Sequence, residues 1–252
     1  MKNSSRIRTL TLAMIGGCLL SLVGVATAQN TATLPVPRDA NWVNNRHMKI
    51  NEAVKAAEGD VDLILIGDSI TDAWSGPGKA AWTHHYGHRK AINAGIGGDR
   101  TQHVLWRLQN GNLDGITPKL AVIMIGTNNA RDNKPEETAE GVTEIVNYLQ
   151  KRLPETKILL LAIFPRGATV EDPLRQKNAK VNQIIAKLGE REGVTYQDIG
   201  SAFLDDKGTL SKDVMPDLLH LTPAAYWTWA QSIESNVAKL LGDEPVAAPE
   251  TK

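Results

Sequence analysis

Short apolar runs alternate with longer amphipathic stretches along most of the chain. The runs predict five strands, at residues 63–66, 90–95, 120–125, 158–163 and 194–199. The longer stretches carry apolar residues three and four positions apart, which predicts helices at residues 39–59, 101–109, 136–152, 174–192 and 223–241. Strands without polar alternation are typical of a parallel sheet that helices cover on both faces. The pattern therefore predicts an α/β protein.

The order of the elements narrows the fold further. A strict alternation of strands and helices predicts three layers, α/β/α, around a five-stranded parallel sheet. The turn Gly95-Ile-Gly-Gly98 lacks the third glycine of a dinucleotide-binding fingerprint, and no acidic partner for a ribose is evident. We therefore expect the flavodoxin-like strand order 2-1-3-4-5 rather than a dinucleotide-binding fold.

The two ends of the chain depart from this pattern. A basic start, an apolar stretch and a small-residue site ending at Ala28 predict a signal peptide over residues 1–28. A secreted or periplasmic protein is then expected; lipidation of Cys18 and an uncleaved membrane anchor are the alternatives. Residues 29–241 are expected to form a single domain, and residues 242–252 a disordered tail.

Charge and cysteine content exclude several classes of partner. The chain has 28 basic and 28 acidic residues; its first 28 positions hold three basic residues and no acidic one, which leaves a net charge of −3 for the remainder. Such a surface offers no footprint for nucleic acid or an anionic membrane, and no stable membrane insertion is expected after signal cleavage. The single cysteine, Cys18, lies in the predicted signal peptide, so the domain is expected to fold without disulfides.

Polar or glycine-rich turns follow the first three predicted strands. They are Gly67-Asp-Ser69, Gly95-Ile-Gly-Gly98 and Gly126-Thr-Asn-Asn129. The carboxyl ends of parallel strands lie at one edge of the sheet, so these turns are expected to converge. They would bring the hydroxyl of Ser69 beside three candidate oxyanion donors: the N–H groups of Ser69 and Gly98 and the side-chain amide of Asn128. Taken alone, Ser69 could equally belong to a helix cap.

A serine nucleophile also needs a base and a group that orients the base. Asp217-Leu-Leu-His220 follows the fifth predicted strand, in a loop long enough to bring His220 over the same edge. Asp217 lies three residues earlier and could reach the outer imidazole nitrogen within one turn. Such a pair can also be a local cap before the helix that begins at Pro223. Because three polar turns are expected to converge at the same edge, we favour a catalytic role for Asp217 and His220 over a helix cap.

Together these four blocks resemble the SGNH/GDSL hydrolase family. Residues 95–108, Phe164-Pro-Arg-Gly167 and Pro173-Leu-Arg175 are further similar to the catalytic subunits of intracellular, type IB-like platelet-activating-factor acetylhydrolase. The resemblance implies the family's three-layer fold, with Ser69 as nucleophile, His220 as general base and acid, and Asp217 as its orienting group. It also implies an oxyanion hole formed by Ser69, Gly98 and Asn128, with no metal or cofactor.

Two features depart from that resemblance. The wider family usually has Asp where this chain has Asn129, a difference that the acetylhydrolase branch shares. The predicted signal peptide is absent from the intracellular acetylhydrolases, which leaves the natural substrate open. A separate observation concerns another fold. Ser69 lacks the G-x-S-x-G elbow of many lipases and esterases, which argues against the α/β-hydrolase fold.

These observations predict a secreted serine esterase that hydrolyses short-chain carboxylic esters, above all acetyl esters, through an acyl-enzyme. Secretion favours an acetylated carbohydrate as the substrate, whereas the motif resemblance favours an acetylated lipid. A lysophospholipase or thioesterase of the same family is an alternative, and a homodimer is compatible with the sequence. A protein of another class, a secreted non-catalytic carbohydrate-binding protein, would use the same sheet edge and the nearby tryptophans.

Several other residues admit a structural or a functional interpretation. The run His84-His-Tyr-Gly-His88 is expected to be a solvated loop rather than a metal site, because no paired carboxylate or cysteine stands near it. Trp74 and Trp82 could line a substrate pocket, whereas four tryptophans on predicted helices are expected to pack: Trp42, Trp106, Trp227 and Trp229. Asp99 and Arg166 could contact substrate or form salt bridges.

Overall fold

The computed structural model describes residues 29–249, so the predicted signal peptide lies outside the described residues. At its centre is an all-parallel sheet in the order β2-β1-β3-β4-β5. The strands are β1, Leu63–Gly67; β2, Ala91–Gly95; β3, Leu120–Met124; β4, Lys157–Leu161; and β5, Val194–Gln197. The predicted fold class and the strand order 2-1-3-4-5 are confirmed.

Seven α-helices flank the sheet in the described part of the chain. They are α1, Asn41–Ala56; α2, Ser69–Asp72; α3, Lys79–Tyr86; α4, Thr101–Leu108; α5, Pro135–Arg152; α6, Pro173–Ile185; and α7, Pro223–Leu241. Proline occupies the first position of α5, α6 and α7, where its missing N–H costs no hydrogen bond. Helix α6 is shorter than predicted, because the chain tightens into a 3-10 helix at Ala186–Glu190.

The sheet separates two apolar cores. Alternate strand residues point to opposite faces, so Ile64 and Ile66 lie in one core and Leu63 and Leu65 in the other. Residues of α1, α4, α5 and α6 fill the first core, and residues of α3 and α7 fill the second. Every residue of β1 and β3 is buried, which explains why these two strands read as unbroken apolar runs.

Two glycines at strand ends let helix α2 lie directly on the edge of the sheet. A side chain at Gly67, the last residue of β1, would collide with Thr71 and with the carbonyl oxygen of Met124. A side chain at Gly95, the last residue of β2, would collide with the backbone of α2. Such a close backbone approach requires glycine at both positions. Ser69, the first residue of α2, is thereby held at the carboxyl edge of the sheet.

Two regions that were expected to be solvated or disordered contact each other instead. His85 is buried on α3 with Nδ1 3.2 Å from Glu234 Oε2, and Arg89 pairs with the same carboxylate at 2.6 Å. Burial alone would raise the pKa of Glu234, but the hydrogen bonds from His85 and Arg89 lower it to about 2. Asp243 and Val246, in the predicted tail, bind Arg89 and Glu234. The segment predicted to be a solvated loop forms helix α3 up to Tyr86, with His85 buried and His84 and His88 exposed. The charges of Arg89 and Glu234 are buried as a pair beside it.

The described residues contain neither a candidate metal site nor a candidate membrane-spanning helix. Across residues 29–249, no three histidine, cysteine, aspartate or glutamate side chains are grouped so that they could hold a metal ion. Within the same span, none of the helices combines the length and the apolar character needed to cross a bilayer.

Candidate active site

Ser69 begins helix α2, directly after the turn that ends β1. The helix cap is Asp68, whose Oδ1 accepts the Ile70 N–H at 3.0 Å, so the Ser69 hydroxyl is not used for capping. Asp68 is fully buried. Burial raises the pKa of its carboxyl group to about 7, although the Ile70 hydrogen bond lowers it. The carboxyl group beside Ser69 is therefore largely protonated below neutral pH, unlike an ordinary aspartate.

The loop between β5 and α7 brings His220 onto Ser69. Ser69 Oγ lies 2.9 Å from His220 Nε2. The other imidazole nitrogen, Nδ1, lies 2.6 Å from Asp217 Oδ2, so hydroxyl, imidazole and carboxylate form one hydrogen-bonded chain. In such a chain the imidazole can accept the serine proton while the carboxylate stabilises the imidazolium. The side chains of His220 and Asp217 are 43% and 56% exposed, which leaves the chain open to substrate and water.

A tight turn holds the carboxylate against the imidazole. Asp217 Oδ1 accepts the N–H groups of Leu219 at 3.1 Å and His220 at 2.7 Å. Leu218 adopts a φ of +59°, a left-handed conformation that is costly for leucine, and its carbonyl oxygen accepts the Gly167 N–H at 3.0 Å. Partial burial alone would raise the pKa of Asp217, but the hydrogen bonds from His220 hold it below its ordinary value. The carboxylate is therefore ionised at neutral pH.

The turns after β2 and β3 meet the Ser69 turn at the same edge of the sheet. Gly98 has a φ of +71°, in the region that glycine adopts readily and other residues rarely adopt. Asn128 Nδ2 donates to the carbonyl oxygen of Asp99 at 2.9 Å and lies 3.5 Å from Asp68 Oδ2. The first contact is a normal hydrogen bond, and the second is long and weak. The structure thus brings together all the turns that the sequence pattern placed at this edge.

A buried arginine within the segment 95–108 holds two of these turns together. Arg107, on α4, donates to Asp99 Oδ2 at 2.8 Å and to the carbonyl oxygen of Gly67 at 2.9 Å. Arg38 adds a second ion pair to Asp99 at 3.1 Å. Arg107 and Asp99 are both buried, and each needs the other, because an unpaired buried charge is strongly destabilising. Of the two interpretations of Asp99, the structure therefore shows the salt bridge.

The unusual Asn129 is part of a buried amide network. Its Oδ1 accepts the N–H of Thr101 at 3.0 Å, and its Nδ2 donates to Gln102 Oε1 and Asn133 Oδ1, each at 3.1 Å. An amide supplies both donors and acceptors, whereas an ionised carboxylate at this position would supply acceptors only. The neighbours of residue 129 therefore explain why this chain has asparagine rather than aspartate there.

Other candidates are less directly involved. Arg166 is buried and donates to the carbonyl and hydroxyl oxygens of Thr127 at 3.3 and 3.2 Å. Trp74 is buried in the second core, and together with Trp82 it borders a cavity between α1 and α3 that does not include Ser69 or His220. Trp42 was expected to pack, and it contacts Gly97 and Arg38, yet 53% of it is exposed. Burial lowers the pKa of His103 to about 4, so this imidazole is uncharged at neutral pH.

Comparisons with known proteins relate this chain to ester hydrolases. The model of the GDSL-like Lipase/Acylhydrolase family matches residues 65–228. Platelet-activating factor acetylhydrolase IB subunit alpha2 from Homo sapiens is 35% identical over 222 residues, which cover 86% of this chain and 94% of that protein. Subunit alpha1 from Homo sapiens is 32% identical over 228 residues, which cover 88% of this chain and 96% of that protein.

Solved structures show the same fold. A GDSL-like lipase from Bacteroides thetaiotaomicron matches with a TM-score of 0.63 and 18% identity, over 77% of this chain and 97% of that one. The acetylxylan esterase Axe2 from Geobacillus stearothermophilus matches with a TM-score of 0.59 and 19% identity, over 75% of this chain and 97% of that one. At these identities the likeness extends to the fold alone.

The curated relatives overturn the predicted location. The resemblance described above was to intracellular acetylhydrolases, and only the predicted signal peptide argued for export. Proteins named as acetylhydrolase IB subunits match 86% and 88% of this chain, whereas residues 1–28 lie outside the described residues. The prediction of a secreted or periplasmic protein was therefore wrong.

Proposed function

Because this chain belongs to the GDSL-like lipase/acylhydrolase family and is a carboxylic ester hydrolase, we propose that Ser69 is its nucleophile, His220 its general base and acid, and Asp217 the group that orients His220. The observation that carries the proposal is the 2.9 Å contact between Ser69 Oγ and His220 Nε2. The contact between His220 Nδ1 and Asp217 Oδ2 supports it, because a proton held on Nδ1 leaves Nε2 able to accept another.

The first half of the reaction forms the acyl-enzyme. Ser69 Oγ attacks the carbonyl carbon of the ester while His220 Nε2 takes the hydroxyl proton, and the imidazolium is stabilised by the Asp217 carboxylate. The tetrahedral intermediate then collapses. Its bond to the alcohol oxygen breaks, and His220 Nε2 returns the proton to that oxygen, so that the neutral alcohol leaves.

The second half repeats these steps with water. His220 Nε2 takes a proton from a water molecule whose oxygen attacks the acyl carbon. The bond to Ser69 Oγ then breaks, and Oγ regains a proton from His220, which releases the carboxylic acid. The exposure of His220 and Asp217 supports this step, because water reaches the imidazole without a change in the fold.

The oxyanion of each tetrahedral intermediate needs hydrogen-bond donors already in place. We assign this role to the N–H groups of Ser69 and Gly98 and to the side-chain amide of Asn128. The amide is suited to it because one hydrogen is fixed on the Asp99 carbonyl oxygen. The second makes only the 3.5 Å contact with Asp68 and is available to a substrate oxygen.

Replacing Asn128 with alanine should lower kcat by about 10²–10³-fold, the usual effect of removing one oxyanion donor. Steady-state hydrolysis of p-nitrophenyl acetate and thermal unfolding would be measured on the same preparation. A structural role predicts the reverse pattern, with a lower melting temperature and a nearly unchanged kcat in the protein that remains folded. That pattern would remove Asn128 from the oxyanion hole.

A short acyl group, above all acetyl, is the proposed specificity. It is supported by the relatives named as acetylhydrolases, which match most of this chain at 32–35% identity. It is also supported by packing, since Ile70 and Thr127, the chain neighbours of Ser69 and Asn128, are each 1% exposed. A long acyl chain could enter this closely packed region only if these side chains moved.

The acyl preference can be tested with p-nitrophenyl acetate, butyrate and octanoate, which differ only in the acyl chain. We expect kcat/KM to be highest for the acetate and to fall by at least about tenfold to the octanoate, because a pocket fitted to a methyl group rejects added methylenes. A maximum at the octanoate would contradict the acetyl preference. It would instead support an activity of the lysophospholipase type.

A further inference from the structure

Trp42 is an exposed aromatic side chain at the rim of the turn Gly95-Ile-Gly-Gly98, here called the oxyanion loop because Gly98 is a proposed oxyanion donor. It lies on the first turn of α1, and 53% of it is exposed. Its ring abuts Gly97, because a Cβ atom at that position would lie 3.5 Å from ring atoms Cη2 and Cζ3. Backbone dimensions then place this ring edge within about 7 Å of the Gly98 nitrogen. A large apolar surface is thus kept open to solvent beside the site.

Arg38 connects this ring to the oxyanion loop. Its guanidinium carbon lies 5.1 Å from the centre of the Trp42 ring, over one face. Nη1 donates to the carbonyl oxygen of Gly97 and, at 3.1 Å, to Asp99 Oδ1. A Cβ atom at Gly98 would lie 3.1 Å from Nη2. Within residues 29–249, Nε and Nη2 of Arg38 have no hydrogen-bond acceptor, so donors next to Gly98 remain available to a ligand.

We infer that Trp42 and Arg38 form the subsite for the alcohol portion of the ester, an assignment that rests on the proposed function of Ser69. An acetyl group ends one bond beyond the carbonyl carbon, so its methyl group stays next to Ser69. The alcohol is the part of such an ester that extends further from the carbonyl carbon, toward a ring beside Gly97. The part of a substrate that lies over Trp42 is therefore the alcohol, which must leave before water attacks the acyl-enzyme.

The two side chains also select the chemistry of that alcohol. The open face of an indole ring favours a flat group rich in C–H bonds, such as a sugar or an aromatic ring. Its other face already holds the Arg38 guanidinium, and this charge opposes the approach of a second cation such as a quaternary ammonium group. The unused Arg38 N–H groups suit hydroxyl oxygens next to the ring. The subsite therefore fits an uncharged, ring-shaped alcohol that carries hydroxyl groups.

The substitution Trp42→Ala tests this subsite with esters that share the acetyl group and differ in the alcohol. An acetylated methyl xyloside and p-nitrophenyl acetate carry a ring in the alcohol, whereas ethyl acetate does not. We expect kcat/KM to fall about fivefold to tenfold for the two ring esters and to change less than about twofold for ethyl acetate. Trp42→Phe keeps an aromatic face and should recover most of the loss.

A matched control is Trp227→Ala. Trp227 is a partly exposed tryptophan on α7, packed 5.2 Å from the His84 ring and away from the oxyanion loop, and its removal should leave all three rates unchanged. Unchanged rates for the ring esters of Trp42→Ala, or an equal loss for all three esters, would overturn the subsite. So would a loss that depends on the acyl chain in p-nitrophenyl acetate, propionate and butyrate, because it would place the ring on the acyl side.

The class of alcohol has its own test. An acetylated phosphocholine lipid should be affected by Trp42→Ala much less than the acetylated xyloside, and an equal or larger loss for the lipid would overturn the preference for an uncharged ring. Failure of the proposed nucleophile would look different. In that case Ser69→Ala would keep its activity on ethyl acetate, whatever the effect of Trp42→Ala on the ring esters.

Discussion

Replacing Ser69 with alanine is expected to lower kcat/KM for p-nitrophenyl acetate by about 10⁵-fold or more. The hydroxyl oxygen is the atom that would form the acyl-enzyme, and without it His220 has no group to activate. The fold should persist, because Asp68 and not Ser69 caps α2. Release of p-nitrophenolate would report the activity, and thermal unfolding followed by circular dichroism would report the fold.

A matched control for this substitution is Ser75→Ala. Ser75 lies a few residues further along, in the 3-10 helix Ala73–Ser75, and its Oγ accepts a hydrogen bond from Asn93 Nδ2 at 2.9 Å. It is a serine in the same region without a histidine partner, so its removal should leave kcat/KM nearly unchanged. Activity retained by Ser69→Ala and lost by a different serine substitution would assign the nucleophile elsewhere.

Replacing Asp217 with asparagine is expected to lower kcat by about 10⁴-fold, with little change in stability. The amide oxygen can still accept the N–H groups of Leu219 and His220, so the turn should keep its shape. The amide nitrogen, however, would face His220 Nδ1 as a donor. The imidazole would then carry its proton on Nε2, where it could no longer accept the proton of Ser69.

The kcat of Asp217→Asn would be measured with p-nitrophenyl acetate, and its stability by urea unfolding. Asp213→Asn is the matched control, because Asp213 lies in the same loop and its carboxylate forms no hydrogen bond with His220. A normal rate in Asp217→Asn would mean that another group orients the imidazole. A large loss of stability with a proportionate loss of activity would instead make Asp217 a structural residue of the turn.

Much of the fold could be predicted from hydrophobic patterning, because buried parallel strands impose a simple rule on the sequence. Residues 120–125 had to be apolar on both faces, and β3 lies within that run. Helix α3 could not be predicted in the same way. Its residues 79–86 are neither strongly amphipathic nor capped by a side chain, and two histidines and a lysine suggested exposure. Tertiary contact with α7 makes this segment helical.

The positions of the candidate catalytic residues followed from topology rather than from local sequence. Parallel strands end at one edge, which brings Ser69, Gly98 and Asn128 together, and the Asp-x-x-His spacing allowed Asp217 to reach His220. The hydrophobic pattern could not predict the buried hydrogen bonds that hold these residues in place. Arg107 looks like an ordinary polar helix residue until the structure shows its bonds to Asp99 and Gly67.

The exposure of Trp42 is a second feature that could not be predicted from the sequence. A tryptophan on an amphipathic helix is usually a packing residue, and the spacing of α1 contains nothing that separates it from the core positions Val43 and Ile50. Its exposure depends on the direction in which the helix faces Gly97, a contact between segments more than fifty residues apart. Only three-dimensional placement reveals an open ring beside the proposed site.

The most direct test of the Ser69–His220–Asp217 assignment is covalent labelling with a fluorophosphonate, which reacts with activated serines. Intact mass should show one adduct per chain, and peptide mapping should place it on Ser69. Asp217→Asn should react far more slowly, and Ser69→Ala should not react at this position. No adduct on the folded, ester-hydrolysing enzyme, or a stoichiometric adduct on another residue, would contradict the assignment of Ser69 as the nucleophile.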